Sequence, residues 1–220
     1  PTRQVSSAAS DVYKRQTVID ESFMTISGGF GKVMLGDDDG VGDNYGLAAV
    51  DLIAEETGTN GASATINTNS DIDGMSGNAP KIAYHLPAMG GLTVGASFAD
   101  SGAVGSTDTT AFGFRYTTEA AGSSITIGGA TATTEATTTD KDSQNLGIKV
   151  VNGNLSFSLS QGTEEAADED QEHTGAAISY KMGNGMTIGA YTVDGEDALD
   201  AGEEYTCLLY TSPSPRDLRL

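Results

Sequence analysis

Tryptophan is absent from this 220-residue chain, cysteine occurs once, and 11 basic residues face 31 acidic ones, for a formal charge of −20. One thiol supports neither a disulfide framework nor a thiolate metal site. A chain this acidic lacks the basic footprint that nucleic acid demands, and an anionic membrane surface would repel it. No stretch approaches the roughly 18 consecutive apolar residues of a membrane-crossing helix. Leucine is scarce, while glycine, with 29 residues, and threonine are plentiful. This composition argues against a helical bundle and for many short strands joined by tight turns.

The two ends read as translated library adapter. Ser6-Ser7-Ala8-Ala9-Ser10-Asp11-Val12-Tyr13-Lys14-Arg15-Gln16 is what one arm of a transposase-type adapter encodes. Cys207-Leu208-Leu209-Tyr210-Thr211-Ser212-Pro213-Ser214-Pro215-Arg216-Asp217 is what the other arm encodes, read outward. Such scars are set aside before fold reasoning. The expected organisation is 1–16 adapter-derived, 17–206 natural and a fragment cut at both ends, and 207–220 adapter-derived. The natural part then keeps six basic residues against 29 acids, near −23, and no cysteine.

Within it, runs of roughly 8–12 residues alternate apolar with small or polar side chains, the mark of a half-buried strand. Leu92-Thr93-Val94-Gly95-Ala96-Ser97-Phe98 places Leu92, Val94, Ala96 and Phe98 on one face. Phe112-Gly113-Phe114-Arg115-Tyr116 opposes three aromatics to Arg115. Ten strands are predicted, at about 19–27, 30–36, 80–86, 91–99, 109–118, 123–134, 144–151, 154–162, 173–182 and 185–194. Short Gly- and Asn-bearing turns alternate with longer acidic or Thr-rich connections at 36–79, 101–108, 135–143 and 163–172. Gly and Asn suit hairpin turns because these need positive φ. Short turns on one side and long polar loops on the other describe an antiparallel transmembrane β-barrel. A soluble sandwich or acidic β-solenoid shares the alternation; the loop lengths favour the barrel.

Five of the six natural bases, Lys32, Lys81, Arg115, Lys149 and Lys181, fall at the parity opposite the apolar residues; Lys141 sits in a connection. If the apolar face meets lipid, these five line the lumen. In a soluble sheet the same sorting would follow simply from charges avoiding the apolar face. The 36–79 connection is far longer than ordinary, as functional loops often are. It carries Asp37, Asp38, Asp39, Asp43, Asp51, Glu55, Glu56, Asp71 and Asp73 and no base. Its apolar stretch Tyr45–Ala54 suits a short helix packed inward. Folded into the pore, the loop would set carboxylates opposite a basic wall, and such charged rings and patches set ion preference. The competing reading leaves it in solvent outside the cell.

Phe23-Met24-Thr25-Ile26-Ser27-Gly28-Gly29-Phe30-Gly31-Lys32-Val33-Met34-Leu35-Gly36-Asp37 resembles the strand, tight turn and strand that lead into the constricting loop of general porins of Gram-negative bacteria, those of alphaproteobacteria in particular. Lys81–Leu86 and Gly90–Ala99 resemble the hairpin that follows that loop. The resemblance implies about strands four to thirteen of a sixteen-stranded homotrimeric barrel in the outer membrane, set among lipid and lipopolysaccharide. It also implies passive diffusion of small hydrophilic solutes and ions, and no enzymatic activity. The chain departs from the family in lacking a terminal aromatic strand and the Pro-Glu-Phe bend of enterobacterial members.

Other motifs fail on spacing. Gly31-Lys32 lacks the glycines and hydroxyl of a phosphate loop. His85 and His173 have no second ligand at metal spacing, and no Ser/His/Asp set is defensible. Asp37-Asp38-Asp39-Gly40 and Asp71-Ile72-Asp73-Gly74 offer oxygens to Ca²⁺ without completing an EF-hand loop, so solvated carboxylates and no cofactor are expected. Glu164-Glu165 and Asp168-Glu169-Asp170 read as an acidic external loop. The alternative from another functional class is a secreted or surface acidic β-rich adhesin or calcium-binding scaffold.

Overall fold

The computed structural model describes residues 22–49, 79–100, 108–135, 139–166, 169–183, 186–197 and 200–211. Among the described residues eleven strands follow one another in chain order through a single antiparallel sheet. They are β1 (Ser22–Gly28), β2 (Gly31–Asp38), β3 (Ala79–His85), β4 (Leu92–Ala99), β5 (Asp108–Ala120), β6 (Ser123–Glu135), β7 (Lys141–Asn152), β8 (Leu155–Ala166), β9 (Glu169–Lys181), β10 (Thr187–Asp197) and β11 (Asp200–Thr211). One helical turn, α1 (Val41–Tyr45), lies between β2 and β3.

The ten predicted strands all form, and β11 is added to them. β11 pairs with β10 from Asp200 onward and carries the ladder through Cys207 to Thr211, inside the segment assigned to adapter. The edge of β10 offers a row of backbone donors and acceptors, and such an edge accepts a strand with little regard for side chains.

Three predicted connections shrink. That at 135–143 reduces to residues 136–140, so that Lys141 opens β7 opposite Thr134 and is no loop residue. The long one runs from residue 39 to 78, because Asp37 pairs with Pro80 and Asp38 with Ala79 at the end of β2. The connection predicted at 163–172 reduces to residues 167–168, since β8 and β9 stay paired as far as Ala166 and Glu169. Polar side chains hold the extension: Gln161 donates to Glu172 at 2.7 Å, and Lys141 pairs with Glu164 at 2.7 Å. Hairpins close the other end. Between β5 and β6 the turn is made by Ala121 (φ 52°) and Gly122 (φ 77°), two successive positive φ values that match the twist of the flanking strands.

The sheet is inside out relative to a soluble one. Phe112 and Leu146 are 57% and 55% exposed, while Ala111, Ser143 and Ser158 on the opposite face are 2%, 1% and 0% exposed. Large apolar side chains align across strands on the exposed face, as in the row Tyr116, Ile127, Ile148 and Leu159. A contiguous apolar face of this extent needs a covering. Lipid outside and small or polar residues inside is the transmembrane barrel arrangement.

Candidate functional site

The small-residue face is covered by the chain's own residues 40–49. Tyr45 at the end of α1 shares a 2.8 Å hydrogen bond between its hydroxyl and His85 Nδ1 on β3. The Val41 amide donates to Ser97 Oγ on β4 at 3.3 Å. The Leu47 amide donates to Asn145 Oδ1 on β7 at 2.8 Å. The Ala49 amide donates to Ser160 Oγ at 2.7 Å, and Ser158 Oγ returns a bond to the Ala49 carbonyl at 2.8 Å, both on β8. Tyr45 thus reaches β3 while Ala49 reaches β8. Flat, these strands would lie about 24 Å apart at about 4.8 Å per spacing, whereas four extended residues cover about 13 Å. Side-chain reach and curvature of the sheet around the segment make up the difference.

A track of glycines makes the close approach possible. A Cβ on Gly95 would stand 2.6 Å from the Tyr45 ring, and one on Gly113 2.7 Å from Tyr45 Cβ. One on Gly128 would stand 2.6 Å from the Tyr45 carbonyl oxygen, and one on Gly147 would run into the Leu47 carbonyl. β4 to β7 each contribute one of these glycines. Val41 fills the space beside them, packed with Met34, Tyr45, Ala83, Ala111, Ala130 and Ala132. A helix of one turn has no stability of its own; here the sheet supplies it.

The helix is shorter and earlier than the sequence suggests. It occupies Val41–Tyr45 instead of part of Tyr45–Ala54, because Gly46 leaves helical geometry at ψ 153°. Residues 46–49 run without helix; Val50 to Ala54 lie outside the described residues.

All five predicted wall bases share the inward parity. Lys81 is buried, Lys32, Arg115 and Lys149 are half-buried, and Lys181 is exposed. Arg115 touches the covering segment: Nη2 donates to the Gly46 carbonyl at 2.6 Å. Lys32 stands opposite His85 in the ladder. Burial pushes the Tyr45 phenol above its ordinary pKa of 10.0, and the Arg115 charge pulls it partly back.

The predicted loop acids are not gathered with these bases. Asp37 and Asp38 belong to β2, and Asp37 takes the parity of Leu35, so neither is a loop residue. Asp39 is exposed and Asp43 lies on α1. Asp51, Glu55, Glu56, Asp71 and Asp73 lie outside the described residues. Of the two aspartate runs weighed as Ca²⁺ ligands and read as solvated carboxylates, the first has its Asp37 and Asp38 in β2, and the second lies outside the described residues. The seat itself (the glycine track with Ser97, Asn145, Ser158 and Ser160) was not anticipated. Its signal was present, since small residues recur at inward parity on strand after strand. A hollow of about 550 Å³ over Gly129 is edged by Phe112, Phe114 and Leu146 on the apolar face.

A family profile described as Gram-negative porin matches residues 4–207. Among solved structures, an anion-selective porin from Comamonas acidovorans aligns with a TM-score of 0.61 at 21% identity, covering 89% of this chain and 63% of that one. A porin refined at 1.8 Å aligns with a TM-score of 0.60 at 18% identity, covering 84% and 68%. The outer-membrane-expressed OmpT of Vibrio cholerae aligns with a TM-score of 0.59 at 12% identity, covering 87% and 64%. At these identities the likeness is one of fold, and the chain spans about two thirds of the length of these structures. No curated protein matches the chain.

Proposed function

Because the chain belongs to the Gram-negative porin family, and so to the outer membrane, we propose that its strands form part of the wall of a water-filled channel for passive diffusion of small hydrophilic solutes and ions. The observation that carries this is the inverted sheet, apolar outside and polar inside, with residues 40–49 laid across the polar face. A segment seated there narrows the lumen. The acidic adhesin or calcium-scaffold alternative is not favoured by a sheet whose large apolar side chains face outward.

In this reading Lys32, Lys81, Arg115, Lys149 and Lys181 line the pore, and the acids of the long connection, Asp39 to Asp73, supply the opposite sign. Asp37 and Asp38 drop out of that set. Function rests on geometry and field, with neither catalysis nor a cofactor. The working assembly is a homotrimer of sixteen-stranded barrels among lipopolysaccharide, and residues 1–16 and 207–220 are adapter-derived.

Planar-bilayer recording tests the channel: stepwise conductance supports it, and a protein that folds in lipid yet passes no current sinks it. Reversal potentials then test the wall. Replacing Lys32 and Arg115 with Glu should move selectivity towards cations, and an unchanged reversal potential would remove both residues from the constriction.

A further inference from the structure

The outward face changes character over three successive outward rungs of the ladder. Gly129, Leu146 and Gln161 form the first, Thr131, Gln144 and Thr163 the second, and Thr133, Asp142 and Glu165 the third, nearest the long connections. The hollow over Gly129 spans the first two. Phe112, Phe114 and Leu146 give it apolar walls, and Thr131, Gln144 and Thr163 a polar rim. None of residues 40–49 lines it. Position 129 must stay small, because a Cβ there would stand 2.8 Å from the Asn145 carbonyl oxygen and 3.2 Å from the Leu146 side chain.

Beyond the rim, carboxylates stand side by side. Asp142 pairs with Glu165, and Glu165 with Asp170, and all three are exposed. Like charges directly opposite each other across strands are destabilising. Among the described residues no Lys or Arg takes this parity to offset them: Lys32, Lys81, Arg115, Lys141, Lys149 and Lys181 all take the other. A cation from outside the chain would relieve the repulsion. One outward rung is about 7 Å at about 3.4 Å per residue. That is close to the polar layer of about 5–8 Å that caps each side of a bilayer's hydrocarbon core. An amphiphile with its chain in the hollow therefore sets its headgroup at the level of Asp142, Glu165 and Asp170.

We propose that the hollow over Gly129 holds an acyl chain of a membrane lipid whose headgroup bears an ammonium group, with that group set against Asp142, Glu165 and Asp170. The proposal rests on the reading above that this face meets lipid. Thr131, Gln144 and Thr163 offer hydrogen bonds to the ester and phosphate oxygens between chain and ammonium. A purely anionic headgroup would meet three carboxylates and no base.

The test is native mass spectrometry of the detergent-solubilised protein, offered phosphatidylethanolamine or phosphatidylglycerol with identical chains. Phosphatidylethanolamine should be retained at one per chain and roughly fivefold better, the order expected for one charge beside opposed charges at a membrane surface. Asp142→Asn/Glu165→Gln/Asp170→Asn should bring the two lipids level. Thr131→Trp, which fills the hollow from its rim, should release both. Equal retention by the unaltered protein, preference for phosphatidylglycerol, or undiminished retention by Thr131→Trp overturns the proposal while leaving the lipid-facing wall intact. Self-association without retained lipid, abolished by Thr131→Trp, would give the hollow to a second copy and also overturns it. A protein that stays folded and soluble without detergent overturns the wall reading beneath it. Should a variant fail to fold, the two-lipid comparison on the unaltered protein still decides.

Discussion

The hydroxyl of Tyr45 and the imidazole of His85 meet at 2.8 Å, with ring centroids 5.6 Å apart. This contact ties the end of a one-turn helix to the third strand across 40 residues of chain. It pins one end of the covering segment, and Ser158 and Ser160 pin the other through Ala49.

Gly147→Val should unseat the segment. The Leu47 carbonyl occupies the place a Cβ would take, and it is backbone, which cannot swing aside as a side chain can. Overpacking of this kind costs typically about 1–3 kcal/mol. Single-channel conductance should rise as the segment lifts from the wall. Gly29→Ala, with nothing within 4 Å of the new methyl, should leave conductance unchanged.

Ser160→Ala and Asn145→Leu should each strand a buried amide, that of Ala49 and of Leu47 respectively. A buried donor left unpaired costs about 1–3 kcal/mol. Hydrogen exchange should quicken at the affected amide, with the sheet ladder of β7 and β8 unaltered. Equal protection in variant and parent would show that these side chains do not hold the segment.

Phe157→Lys should block insertion while Phe157→Leu should not. Phe157 pairs with Val150 and Ile178 on the exposed apolar face, and a lysine facing lipid near the midplane costs roughly 2–4 kcal/mol. Recovery of folded protein from lipid vesicles reads the difference. A lysine variant that folds in water and no longer requires lipid or detergent would mean that this face does not meet the membrane.

High pH should loosen the seat. The Tyr45 pKa is raised in the folded state by burial, against the partial offset of Arg115. The folded state therefore holds its phenolic proton where the unfolded state has begun to lose it. This contribution is intact below the ordinary value of 10.0 and declines as pH rises through it and through the raised folded value. Protease sensitivity of residues 40–49 should increase above pH 10, and Tyr45→Phe should remove that pH dependence.

Much of the fold was legible because its signal is local. Period-two alternation identified ten strands, and Gly- or Asn-bearing turns such as Ala121-Gly122 and Asn152-Gly153-Asn154 identified hairpins. Boundaries at the long-connection end were less legible. Glu164, Glu165, Asp170 and Gln171 look like loop, yet they continue the ladder by pairing across strands. β11 escaped because its formation depends on the free edge of β10, which no residue of β11 encodes.

Parity along each strand already settled which side chains share a face, and so the alignment of Lys32, Lys81, Arg115, Lys149 and Lys181, since successive side chains of a strand must point to opposite sides. Chain order and alternating loop lengths settled the meander. What covers the small face was decided only by tertiary structure. Leu47 and Asn145, or Ala49 and Ser160, are about a hundred residues apart and carry no mark of each other. Their meeting depends on the sheet curving until Gly95, Gly113, Gly128 and Gly147 align into one track, a property of register and twist summed over many strands.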